Sequence, residues 1–202
     1  MKEVLIINLK RNGDIFAMGH LVRSLMAQDT NVTLLVLEEF KKAAEVLHGV
    51  SRIHTIDRKK VLTYKKNRIF SDGFALEQFQ KDLAPVVQRS WDSVVNYSND
   101  RVSTHITSLL KPTSTKHVGI RFNDTCDIEF SNEWSILFND VLTEINYSPV
   151  NFVDTYHNML SLENNASNYA LKTKEEYNLS AHKNFEEIRN IESTDKDIKI
   201  LG

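Results

Sequence analysis

Residues 4–15 read Val4-Leu5-Ile6-Ile7-Asn8-Leu9-Lys10-Arg11-Asn12-Gly13-Asp14-Ile15, and this stretch decides the fold. The run from Val4 to Leu9 is apolar at every position except Asn8 and does not alternate. Such near-continuous hydrophobicity over strand length predicts a strand covered on both faces, as in a parallel sheet. Lys10-Arg11-Asn12-Gly13 breaks the run, and Gly13 can take backbone angles that a Cβ resists, which offers a tight strand-to-helix turn. Ile15, Met18, Val22 and Leu25 then recur at helical spacing, with Leu21 and Met26 widening the stripe.

The same alternation continues outward. Val32 to Leu37 reads as a second strand. Phe40, Ala44 and Leu47 mark a helix stopping at Gly49, and Arg52 to Ile56 reads as a third strand. Strand, helix, strand, helix, strand in this order predicts an α/β fold, a Rossmann-like doubly wound parallel sheet with right-handed crossovers. Asp57 to Gly73 is a long polar connection, expected as a surface excursion or flap with some helix, and its densest basic stretch, Arg58 to Arg68, reads as loop. Leu76, Phe79, Leu83 and Val86 resume helical spacing, with Pro85 expected to bend or stop the helix near its end. Ser93 to Tyr97 is a fourth strand led in by Trp91. Val102, Ile106, Leu109 and Leu110 give a helix ending before Lys111-Pro112, and Val118-Gly119-Ile120 a short fifth strand.

Beyond this point the alternation stops. Trp134 to Ile145 and Phe152 to Leu160 read as amphipathic helices, residues 163–181 as polar connection, and His182 to Ile191 as a short helix. Asp197 to Gly202 reads as the onset of a new strand. The expected organisation is one domain over 1–190, then a linker over 191–202 with the start of a further domain.

Length and composition fit this plan. The chain has 202 residues, 41% hydrophobic and 26% charged, which is ordinary globular usage, so wholesale disorder is not expected. No run approaches the 18 or so apolar residues of a membrane span, and no secretory signal is read at Met1-Lys2-Glu3. The lone cysteine, Cys126, cannot form an internal disulfide and has no histidine partner in its motif. It suits a reducing, cytoplasmic compartment. The net charge of −2 hides an asymmetry: 19 basic against 12 acidic residues through Arg121, then 6 against 15. A basic front half suits an anionic ligand or an acidic membrane face, and equally an ordinary solvated surface. No nucleic-acid motif is present, and nucleic-acid binding is not expected. The seven histidines show no metal-ligand spacing, so no metal is expected.

Residues 8–16 fall where open parallel sheets place their ligands, at the carboxyl end of the first strand. One glycine stands where a dinucleotide fingerprint needs three, and a phosphate loop's Gly-Lys-Ser/Thr is missing. Asp14 sits at or near a helix start, where a carboxylate can cap orphan amides or do chemistry. Residue spacing leaves both open.

Val4 to Leu25, with Gly13-Asp14 after the first strand, resembles glycosyltransferase family 9, the bacterial heptosyltransferases. Leu47-His48-Gly49-Val50-Ser51-Arg52-Ile53, the stretch Trp91 to Ser103, Lys116 to Ile120 and Asn151 to Tyr156 are similar to further segments of that family in the same order. The resemblance implies the GT-B architecture of two facing Rossmann-like domains, with this chain as the amino-terminal, acceptor-binding half and the nucleotide sugar held by the other half. It implies metal-independent, inverting transfer from a nucleotide sugar such as ADP-heptose to a glycan, lipopolysaccharide-core, lipid-linked or protein acceptor, and a site peripheral to the inner membrane. Asp14 takes the family's general-base position. Lys10, Arg11, Asn12 and Gly13 would line the acceptor loop, and Ser98, Asn99 and Arg101 on the same rim would contact sugar hydroxyls or simply cap the next helix. Lys10 and Arg11 replace the small hydroxyl residues common before Gly-Asp, and Ala17 stands where lipopolysaccharide enzymes often carry histidine. These departures point to a different glycan or a protein acceptor. A non-catalytic carbohydrate- or partner-binding module on the same fold is the competing expectation.

Overall fold

The computed structural model describes residues 2–66, 71–110, 116–143 and 150–162, with Leu171, Lys183 and Glu186. The chain divides into two compact units, Met1–Ala170 and Leu171–Gly202, and all elements named below belong to the first. Ile145 and almost all of the expected polar connection, late helix and final strand lie outside the described residues.

Strands β1 (Lys2–Ile7), β2 (Thr30–Leu37), β3 (Val50–Ile56), β4 (Ser93–Asn96) and β5 (Lys116–Val118) form one parallel sheet. Their order is β3-β2-β1-β4-β5. The chain therefore winds outward from β1 in one direction, then returns to β1's other side. Right-handed crossovers taken in opposite directions put the helices on opposite faces. Helices α1 (Asn12–Ala17), α2 (Gly19–Met26) and α3 (Lys41–Glu45) cover one face. Helix α4 (Arg58–Lys65) follows β3. Helices α5 (Ser71–Val87) and α6 (Arg101–Leu109) cover the opposite face.

The alternation of side chains along the strands shows this directly. Val4 and Ile6 of β1, with Val32, Leu34 and Val36 of β2, pack against Ile15, Met18, Leu21 and Val22. Leu5 and Ile7, with Leu35 and Leu37, pack against Leu83, Val86 and Ile106. Both sets are buried, which is why the strands read as continuous apolar runs. Helices α7 (Glu133–Thr143) and α8 (Phe152–Met159) add Phe138, Tyr156 and Met159 to the first face.

Several expectations are corrected. The basic stretch after β3 is helical through Lys65: Asp57 caps α4 by accepting the Lys60 amide at 2.9 Å. Helix α4 buries no residue, so it carries no apolar stripe to read. Helix α5 starts at Ser71, inside the expected connection, and it stops at Val87, two residues past Pro85, as expected. The first helical segment is two helices, α1 and α2, joined at Met18. Gly13 lies inside α1 rather than in a left-handed turn, and a Cβ there would meet nothing within 4 Å. The fifth strand ends at Val118. Gly119, at φ +97°, turns the chain into a separate antiparallel hairpin of β6 (Ile120–Phe122) and β7 (Ile128–Phe130). A Cβ on Gly119 would lie 2.4 Å from the Asn96 carbonyl oxygen, so only glycine fits.

At the amino end of the sheet, Glu3 gathers the Arg89 guanidinium at 2.9 Å, that of Arg52 at 3.6 Å and the Asn31 amide at 2.9 Å. This hub ties β1 to β2, β3 and the turn after α5. Burial lowers the pKa of nearby His54, with Arg89 and Arg52 adding to the effect. Burial likewise lowers His117 and His20.

Two outcomes follow. Gly119→Ala should lose about 3 kcal/mol or more in urea unfolding, from backbone strain plus the clash, whereas Gly13→Ala should be neutral or gain up to about 1 kcal/mol. The three histidines bind protons less readily folded than unfolded. Stability is therefore complete above their unfolded pKa of about 6.5 and falls as pH drops through and below it. The urea midpoint should decline from about pH 7.5 to about pH 5.5, less steeply in His117→Gln.

Candidate functional site

Two buried asparagines, Asn8 directly after β1 and Asn96 at the end of β4, each build the loop that follows. Asn8 accepts the Lys10 amide at 3.0 Å and donates to the Asp14 carbonyl at 3.3 Å and to the Met18 sulfur at 3.1 Å. Asn96 accepts the Ser98 amide at 3.0 Å and donates to the Ile120 carbonyl at 3.0 Å. A side-chain oxygen bonding the amide two residues on is the Asx turn, which sends the chain sharply off the strand end. The loops are then joined: Leu9 N–H donates to the Ser98 hydroxyl at 2.6 Å. The carboxyl edges of β1 and β4 thus form one fixed platform at the point where the winding reverses, the usual ligand position in open α/β sheets.

Asp14 is the third residue of α1 and is half-exposed. Its Oδ2 accepts the Arg11 backbone amide at 3.2 Å, so the carboxylate reaches back to the residue that begins the helix. Arg11 has no acceptor in its side chain, so this is half of a capping box rather than a reciprocal one. The capping role considered for Asp14 is present, and it uses one carboxylate oxygen. In the same core cluster as Ile15 of α1, Tyr97 packs against Tyr156 with ring centres 4.3 Å apart and planes tilted by 46°, and its hydroxyl donates to the Tyr156 carbonyl at 2.8 Å. Burial pushes the Tyr156 phenol well above its usual range, and the nearby Asp14 charge adds to the shift. Both phenols stay neutral at physiological pH, because burial raises Tyr97 as well.

Arg11, Asn12 and Gly13 are exposed at the start of α1, and Lys10 is half-buried. On the second loop, Ser98 is fully buried and holds the Leu9 amide, so it positions Leu9 instead of facing solvent. Asn99 takes the left-handed conformation at φ +51°, and its buried Nδ2 has no partner among the described residues. Arg101 is exposed at the first position of α6. Asp100 caps that helix, accepting the Ser103 amide at 2.9 Å.

A cleft of about 440 Å³ opens on the α5–α6 side of the platform. Leu9, Leu37 and Ile56 contribute from the ends of β1, β2 and β3, and Val61, Phe79 and Val102 from α4, α5 and α6. Lys10, Arg58 and Asp100 are the charged side chains on it. Of the residues singled out by sequence, only Lys10 reaches this cleft. Asp14, Arg11, Asn12 and Gly13 belong to α1 or its start, on the sheet's other face. Sequence reading missed Asn8, Asn96 and the cleft. The asparagines had a signal, since each ends an apolar run where turn-forming side chains concentrate. Among the described residues, no group of three or more His, Cys, Asp or Glu side chains is placed to hold a metal ion.

No protein-family model matches the sequence, and no curated protein does. Solved structures do. A glycosyl transferase family 9 protein from Veillonella parvula matches over 90% of this chain and 48% of its own, with TM-score 0.50 and 12% identity. The E. coli heptosyltransferase WaaC, solved with ADP-2-deoxy-2-fluoro heptose, matches over 83% of this chain and 51% of its own, with TM-score 0.52 and 14% identity. The fold is shared with these glycosyltransferases. The chain spans about half the length of each, and the common element is the Rossmann-like parallel sheet.

The platform's construction is directly testable. Ser98→Ala removes the acceptor of the Leu9 amide and should lose about 1–2 kcal/mol in urea unfolding. Arg101→Ala, exposed at the same rim, should stay within about 0.5 kcal/mol of the parent.

Proposed function

We propose that this chain is the acceptor-binding half of an inverting nucleotide-sugar glycosyltransferase, with Asp14 as general base. The observation that carries the reading is the likeness to half of two glycosyltransferases, combined with a half-exposed carboxylate on the helix that follows β1. In the proposed step, an acceptor hydroxyl oxygen forms a bond to the anomeric carbon from the face opposite the leaving group. The bond to the nucleotide diphosphate breaks, and the hydroxyl proton passes to Asp14. Such a base works late in the displacement, when bond formation has made the hydroxyl acidic.

Lys10, Arg11 and Arg101 give the platform a cationic character suited to phosphate or carboxylate groups on the acceptor. Asn12, exposed at the start of α1, supplies an amide for sugar hydroxyls, while Gly13 leaves space where a ligand can approach the backbone. The E. coli neighbour was solved with an ADP-heptose analogue, which supports an ADP-sugar donor held by a second domain. The reading carries with it a glycan, lipopolysaccharide-core, lipid-linked or protein acceptor, no metal and no nucleic acid. It also carries a cytoplasmic location, at the inner-membrane face when the acceptor is lipid-linked. A second reading, a binding module without catalysis, draws support from the cleft, whose walls do not include Asp14.

Asp14→Asn separates the two. Asparagine keeps an oxygen for the Arg11 amide but cannot take the proton. In the protein carrying its donor-binding domain, turnover should fall by about 10²–10⁴-fold, with donor affinity and thermal midpoint retained. Unchanged turnover would remove Asp14 from the reaction.

A further inference from the structure

The cleft beside the platform is chemically unlike a sugar site. Sugars are recognised by dense hydrogen-bonding groups, whereas Leu37, Ile56, Val61 and Phe79 offer none from their side chains. A volume of about 440 Å³ falls within the range of small-ligand sites. The charged groups on it are unequally engaged. Arg58 pairs with Glu39, and Asp100 holds the Ser103 amide. The Lys10 backbone amide is fixed by Asn8, yet among the described residues its side chain has neither hydrogen bond nor ion pair. Lys10 is half-buried, and an ammonium without a partner at the edge of an apolar wall is positioned to pair with an anion whose apolar part lies on that wall.

We infer that this cleft is a binding site for a small amphiphilic anion, whose apolar body packs against Val61 and Phe79 and whose phosphate, sulfonate or carboxylate pairs with Lys10. The Asx turn at Asn8 is what makes the pairing specific, because it fixes the Lys10 backbone at the end of β1. The inference shares Lys10 with the acceptor reading but not Asp14, which is not on the walls, so anion binding here can be tested apart from sugar transfer.

The test uses 8-anilinonaphthalene-1-sulfonate as probe and uncharged N-phenyl-1-naphthylamine as its control, with the 202-residue chain and near-ultraviolet circular dichroism to verify native packing. The sulfonate should bind saturably at one site per chain and at least tenfold more tightly than the neutral probe. Lys10→Met should erase that preference. Val61→Trp should fill the cleft and abolish binding of both probes, and Val102→Trp does the same duty if the former does not fold. Octanoate and 2-naphthoate in competition distinguish an alkyl from an aromatic body, and displacement by either supports the site. Absence of saturable binding, an undiminished preference in Lys10→Met, full binding in a folded cleft-filling variant, or displacement by neither competitor would overturn it.

Discussion

Asn8, directly after β1, and Asn96, the last residue of β4, have their side chains sealed from solvent, and the carboxyl edge of the sheet depends on how those two amides are satisfied. A buried amide without partners is expensive, so each must find bonds locally. Both do so by bonding a backbone amide two residues ahead, which forces the chain to turn immediately at the strand end. Leu9 and Ser98 then meet, and two loops that could have moved separately become one surface. Gly119 belongs to the same device. Its missing side chain lets the chain pass against the Asn96 carbonyl, and Ile120, just beyond it, takes the Asn96 side-chain amide. The turns, the platform and the cleft share this foundation.

The two edges of the sheet divide their tasks. The amino edge is closed by charge, with Glu3 drawing in Arg52, Arg89 and Asn31. The carboxyl edge is closed by neutral amides and a hydroxyl, which leaves the side chains of Lys10, Arg11 and Arg101 without a hydrogen bond or ion pair among the described residues. Asp14 stands on the α1 side of that edge and Lys10 on the cleft side. A carboxylate and an unpaired ammonium thus stand on opposite sides of one loop, and the two proposals rest on one each.

Sheet residues were legible because β1 and β2 are buried on both faces, and continuous burial leaves an unmistakable apolar run. Helix α2 was legible from its stripe of Leu21, Val22 and Leu25. Helix α4 was not, because it buries nothing and rests on a cap at Asp57. The hairpin of β6 and β7 escaped notice because its three-residue strands are too short to show a period. Position 14 was identifiable as a helix-start carboxylate, but its residue type could not say whether it caps or catalyses: the geometry lets one oxygen do the former while the other remains for a second role. The cleft was invisible because its walls come from the ends of three strands and from three helices, a juxtaposition that only the folded order of strands creates.

The most direct test of the central claim is a crystal structure of the protein with its donor-binding domain, a non-transferable nucleotide sugar and an acceptor. The account predicts that the acceptor hydroxyl lies about 3 Å from the Asp14 carboxylate and faces the anomeric carbon, with the acceptor's anionic groups on the platform's cations. A sugar bound against another edge of the sheet, with Asp14 facing only its own helix, would contradict it.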